Sequence, residues 1–176
     1  MKSFHYILLI SLSISFKNFG QLTTSNNNPN ALVQNVLLGT GVTVSNITYN
    51  GTPTAIGQFT GTGTNLGIAS GVVLTTGTIA NNGSGPHGPN NQANSGLDNG
   101  VGGSALLSGI IGGTQTYNAA ILEFDFVPFS DTVRFKYVFG SEEYPEFAPP
   151  NNQSYNDVFG FFISGPGIAG LQNIAK

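Results

Sequence analysis

Four of the eight carboxylates in this chain, Glu142, Glu143, Glu146 and Asp157, fall in one stretch, FGSEEYPEFAPPNNQSYNDVFGFFISGPG, residues 139–167. Only 7% of the residues are charged, so half of the acids in one loop is the strongest local signal the sequence offers. Asn151, Asn152 and Asn156 add carbonyl oxygens to the same loop. Oxygen ligands without sulfur suit a hard cation such as calcium, which takes six to eight of them at about 2.3–2.6 Å. The spacing is not that of an EF-hand, which needs acids at alternate positions around a central glycine. We therefore take Glu142, Glu143, Glu146 and Asp157 as candidate calcium ligands, with Asp98 as a further possible one. Asp98 precedes Asn99 and Gly100, and in that setting it reads equally as a turn former.

Two other readings of the loop stay open. Glu142 and Glu143 could be solvated, or could bond backbone amides at a tight turn anchored by Tyr144, Pro145 and Phe147. Alternatively, two carboxylates could form a glycosidase pair, at about 5–5.5 Å for retention or about 6.5–9.5 Å for inversion. The rest of the sequence gives catalysis little support. It has no cysteine, which removes disulfides, thiolate metal sites and cysteine nucleophiles. No G-x-S-x-G elbow occurs, and Gly61, Gly63 and Gly67 miss the dinucleotide fingerprint by one residue. The expectation is that this chain is not an enzyme.

The first twenty residues read as a secretory signal. Lys2 gives the positive start, residues 7–14 are mostly apolar, and Gly20 suits a cleavage site. The apolar core is too short for a span of roughly 20 residues. Cleavage after Gly20 removes Lys2, Lys17 and His5, leaving His87 as the only histidine. Three basic residues then face eight acids, a net charge of −5. Nothing basic remains to meet nucleic acid or anionic lipid, so no nucleic-acid partner is expected. Membrane attachment would need an anchor outside this chain. Residues 21–176 suit one domain.

That domain must position the acidic loop, and its pattern is all-β. Asn, Thr and Gly dominate residues 21–122, which hold one full charge, Asp98; Thr and Val favour pleated structure, and Gly and Asn favour tight turns. One short helix is expected where Asn28 caps, Pro29 occupies the first turn and Gly39 closes, with Leu32, Val33, Val36 and Leu37 on one face. Strands are expected at 42–45, 47–49, 56–59 and 68–75, followed by a long loop at 80–100. Residues 105–111 fit either a helix turn or a strand. From 120 to 126 and from 133 to 139, apolar and polar residues alternate strictly, as half-buried strands require. An antiparallel hairpin of the two would set Phe126 opposite Val133, Phe124 opposite Phe135, Asp125 opposite Arg134 and Glu123 opposite Lys136. Residues 158–164 are apolar on both faces and predict a central strand, with Gly160 marking a bulge or a close approach. Such a strand needs more neighbours than the sequence supplies, which suggests a domain incomplete at its C-terminus.

These motifs carry a family resemblance. Leu122–Glu123–Phe124–Asp125–Phe126, then VFGSEEYPEF at 138–147, then Asn156–Asp157–Val158–Phe159–Gly160–Phe161–Phe162 and Ser164–Gly165–Pro166 resemble the choice-of-anchor L domain. The resemblance spans about residues 28–176. It implies an exported bacterial protein of a type frequent in Bacteroidota, secreted or at the cell surface, with a variable sorting or anchoring signal further along. It implies no defined activity. Two positions depart from the pattern: Asn118 and Ser104 stand where the family carries acids, so a cation site relying on those acids would be built differently here.

The combined expectation is an antiparallel β-sandwich, jelly-roll-like, with one short N-terminal helix. Its expected role is adhesion or surface display, with calcium fixing the acidic loop and an extracellular glycan or surface protein as partner. A carbohydrate-binding module using Tyr144, Tyr155 or Tyr49 is the alternative, and a glycan-acting enzyme the more distant one.

Overall fold

The computed structural model describes residues 22–39, 41–79, 98–141 and 157–175. The expected signal segment, most of the expected loop at 80–100, and Glu142, Glu143 and Glu146 lie outside the described residues. What is described is mainly β, with every ladder antiparallel.

The first sheet has the order β1 (Thr23–Asn26), β3 (Ile56–Thr60), β4 (Ser70–Leu74). Strand β1 was not anticipated: Thr-Thr-Ser-Asn has no apolar alternation to announce it. It is tied in by its ladder to β3 and by the Thr24 hydroxyl, which donates to the Ile79 carbonyl at 2.5 Å. Against this sheet packs the expected helix, α1 (Pro29–Leu32), continued by a π-turn at Val33–Leu37. Its start is set as its residues dictate. Asn28 Oδ1 accepts from the Ala31 amide at 2.8 Å, and Pro29 fills the first turn, where no amide is needed. The π-turn closes when the Leu38 amide reaches the Val33 carbonyl at 3.2 Å. Leu32 and Val33 are fully buried, and with Ile56 they form the centre of the core.

The second sheet pairs β2 (Val42–Asn50) with β5 (Ile121–Pro128). The two expected strands at 42–45 and 47–49 are one strand interrupted by a bulge. Ser45 faces Asp125 and Thr48 faces Glu123, so Asn46 and Ile47 together oppose Phe124. Asn46 takes a left-handed φ of 51°, which asparagine tolerates better than most residues. The bulge keeps Val42, Val44, Ile47 and Tyr49 on one half-buried face, opposite Leu122, Phe124 and Phe126.

The faces of β5 are those its alternation predicts, but its partner is not. The expected hairpin with 133–139 does not form: the strand that pairs with β5 is β2, and residues 132–141 adopt no strand. Asp125 accepts from the Asn46 side-chain amide at 2.6 Å instead of meeting Arg134, and Glu123 lies across from Thr48 instead of Lys136. Thr48, Ser45 and Asn46 stand opposite the polar face of β5, with Asn46 bonded to Asp125, and charge pattern alone could not separate this partner from a cationic one.

Residues 105–111 resolve as helix α2 (Ala105–Ile110), capped by Ser104. The expected central strand at 158–164 contracts to β6 (Phe162–Ile163), which pairs with β7 (Gln172–Asn173). Gly160 does mark a close approach, by side chains. A Cβ there would come 2.5 Å from Phe162 Cε2 and 3.1 Å from Ile110 Cδ1, so α2 and this segment meet at a glycine.

Candidate functional site

The acidic loop leaves and re-enters the described structure at Ser141 and Asp157, and both are half-buried. The segments that carry these ends run together through aromatic rings. Phe135 meets Phe161 edge-on with centroids 4.7 Å apart, Tyr137 meets Phe159 at 5.3 Å, and Phe139 stacks on Phe159 at 5.9 Å. Alternate residues of 135–139 thus project towards the odd-numbered aromatics of 157–161. The alternation that predicted a strand here puts these rings on one side of the chain without a backbone ladder. Centroid separations of about 4.5–7 Å in tilted or edge geometry are those in which ring quadrupoles attract. The consequence for the site is positional: both roots of the loop are fixed by ring contacts within a few residues of its acids.

Of the candidate ligands, Asp157 and Asp98 are described. Asp98 is exposed, and its Oδ1 accepts from the Gly100 amide at 2.8 Å, the turn-forming role its neighbours suggested. Asn99 beside it donates its amide to the Thr76 and Gly77 carbonyls at 2.7 and 2.6 Å, clamping this turn to the end of the first sheet. Among the described residues, no three Asp, Glu, His or Cys side chains come together as a metal site.

The two positions that depart from the family pattern have structural employment. Ser104 is buried; its Oγ accepts from the Leu107 amide at 3.4 Å, and its own amide donates to Thr116 Oγ1 at 2.8 Å. Thr116 returns its hydroxyl to the Ser104 carbonyl at 3.2 Å and accepts or donates at Ser108 Oγ, 3.2 Å away. Asn118 sits at a left-handed φ of 53°, and its amide donates to the Val101 carbonyl at 2.8 Å, turning the chain into β5. Neutral hydroxyls and an amide make a closed network here, so neither position needs a cation.

A second feature was partly legible. Tyr49, named as a sugar-stacking candidate, borders a cleft of about 370 Å³ with Asn27, Asn28, Pro29, Pro53 and Ile56. Its hydroxyl donates to the Thr52 carbonyl at 2.9 Å, and burial pushes its phenol pKa above the ordinary value. Asn27 and Asn28 each accept a backbone amide through Oδ1, which leaves their side-chain NH₂ groups as donors at the cleft. The prolines and asparagines of this cleft come from the helix start and the turn after β2. No sequence rule places those two segments side by side. Tyr144 and Tyr155 lie outside the described residues.

No helix among the described residues is long and apolar enough to cross a membrane. A family model described as "Choice-of-anchor L domain" matches residues 21–176. The chain matches no curated protein and no solved structure.

Proposed function

Because this chain belongs to the choice-of-anchor L domain family, we propose that it serves in adhesion or display on the bacterial exterior. Membership supports the coarser part: the family is one of exported or surface proteins and is not a known catalytic family. The reading carries with it a sandwich of the antiparallel sheets, export by the 1–20 segment, and calcium held by Glu142, Glu143, Glu146 and Asp157. One observation supports the cation in particular. The ring contacts between 135–139 and 159–161 bring together the two segments that flank the acidic stretch, so its carboxylates lie on the chain between two neighbouring ends. Four carboxylates this close in sequence repel one another, and a divalent cation offsets that repulsion with oxygen coordination.

Calcium titration followed by thermal melting tests the reading. A rise in Tm that saturates with calcium and disappears in Glu142→Ala is expected. An unchanged Tm in both proteins removes the cation.

The Tyr49 cleft favours a second reading, a carbohydrate-binding module, since an aromatic side chain flanked by prolines and two free amide donors matches the C–H face and hydroxyls of a sugar. A glycan array separates the two, with Tyr49→Ala as the control. Retained glycan binding in that variant moves the site away from the cleft. A glycan-acting enzyme is the third outcome, and turnover that survives Glu143→Ala would exclude that residue as its acid or nucleophile.

A further inference from the structure

Two of the three Asn–Gly dipeptides in this sequence, Asn50–Gly51 and Asn99–Gly100, lie among the described residues, and the fold treats them oppositely. An asparagine before glycine is the arrangement most prone to self-modification, because the glycine amide nitrogen has no neighbouring Cβ to hinder its attack on the asparagine side chain. At Asn99 the side-chain nitrogen donates to two carbonyls, at 2.7 and 2.6 Å, and the Gly100 amide is held by Asp98 Oδ1 at 2.8 Å. Leaving group and nucleophile are both tied down. At Asn50 the situation is reversed. It is the last residue of β2, it is exposed, and its carboxamide has no hydrogen-bond partner among the described residues.

We propose that Asn50 is an autocatalytic modification site that converts to aspartate and isoaspartate in the folded protein. The Gly51 nitrogen bonds to Asn50 Cγ, the Cγ–Nδ2 bond breaks, and ammonia leaves with the proton that Gly51 gives up. Water then opens the five-membered imide. Opening at the former side-chain carbonyl yields aspartate, and opening at the backbone carbonyl yields isoaspartate with one extra carbon in the main chain. No oxidant or cofactor is consumed.

Packing explains why the reactive pair is in place. A Cβ on residue 51 would lie 2.5 Å from Tyr49 Oη and 3.0 Å from the Ala119 carbonyl, so the position demands glycine whatever precedes it. The same contacts give the reaction a consequence. Residue 50 pairs with Ile121 at the end of the β2–β5 ladder, and Tyr49, next in the chain, borders the 370 Å³ cleft. Conversion adds a negative charge at that ladder end. The isoaspartate form also lengthens the backbone between Tyr49 and the glycine packed on it. The cleft is thereby altered once and irreversibly, as the protein ages.

The test is ageing of the folded protein at mildly alkaline pH, with peptide mass spectrometry at residues 50 and 99 and enzymatic methylation to detect isoaspartate. Asn50 is expected to convert several-fold faster than Asn99 in the native state, and in urea the two rates should converge, since both precede glycine. Asn50→Gln should remove the isoaspartate signal from that peptide while leaving the rate at Asn99 unchanged. Equal native rates, or faster conversion at Asn99, would overturn the proposal.

Discussion

Among the described residues, every buried apolar side chain lies between residues 32 and 119: Leu32, Val33, Ala55, Ile56, Ile79 and Ala119. From 129 to 163 no described aromatic side chain is buried to that degree, and Phe129 is 83% exposed. The first region is a small interdigitated core under a helix, where each side chain is confined on several sides. The second is a set of rings touching pairwise, with Phe159 shared between Tyr137 and Phe139. Confinement makes the first region intolerant of changes in volume. Pairwise contact makes the second region tolerant, and it is the second that carries the ends of the acidic loop. A scaffold that holds a loop by ring edges can shift by a rotamer when the loop gains or loses a ligand, without disturbing the core under α1.

Substitutions that separate the two regions should differ in size accordingly. The largest effect is expected from Leu32→Ala, which empties a fully buried position and should cost about 2–5 kcal/mol in urea denaturation. Gly57→Ala should follow at about 1–3 kcal/mol, because the new Cβ would collide with the Ser25 carbonyl and Ile79 Cδ1 inside the same core. Asn28→Ala removes the cap of α1 and should cost about 1 kcal/mol, with the melting transition keeping its shape. A double-mutant cycle on Phe135 and Phe161 should give a coupling of about 0.5–1.5 kcal/mol. A coupling as large as the Leu32→Ala loss would mean that the aromatic region is a core after all, and the contrast would fail.

The smallest effect concerns pH. The Tyr49 phenol is raised by desolvation, so the unfolded chain gives up its proton first as pH increases. The associated stability is complete below the ordinary tyrosine value of 10.0 and is lost as pH rises through the raised folded value. Chemical denaturation across this alkaline range should show a steeper decline in the native protein than in Tyr49→Phe.

Local chemistry was legible where one segment decides its own structure. Asn28 and Pro29 announced the start of α1, and the alternation of 120–126 announced both faces of β5. Short turns were legible for the same reason, as at Asp98. Pairing between segments was not legible. Arg134 and Lys136 offered charges complementary to Asp125 and Glu123, yet the strand that pairs with β5 is β2, whose Asn46 bonds Asp125 and whose Ser45 and Thr48 stand across from Asp125 and Glu123. The choice rests on where the whole second sheet sits, and no local pattern encodes that. Apolar runs also overstate strands: residues 158–164 carry four large apolar side chains, but Gly160 gives way to Phe162 and only two residues enter a ladder. Of the candidate site, the roots and Asp98 are placed, while Glu142, Glu143 and Glu146 lie outside the described residues.

The bulge at Asn46 acts as a phase shifter in a two-beat rhythm. Before it the even-numbered residues of β2 face inwards, and after it the odd-numbered ones do. Deleting Asn46 would take out the extra beat and leave the faces alone: Val42, Val44, Ile47 and Tyr49 would alternate without interruption, with Ile47 directly opposite Phe124 and the rest of the ladder to β5 in its present register. The tolerance of this domain to length changes in β2 is therefore set by position: losing the bulge residue keeps the inward set, whereas a one-residue change within either regular half of the strand puts its inward side chains out of phase with β5.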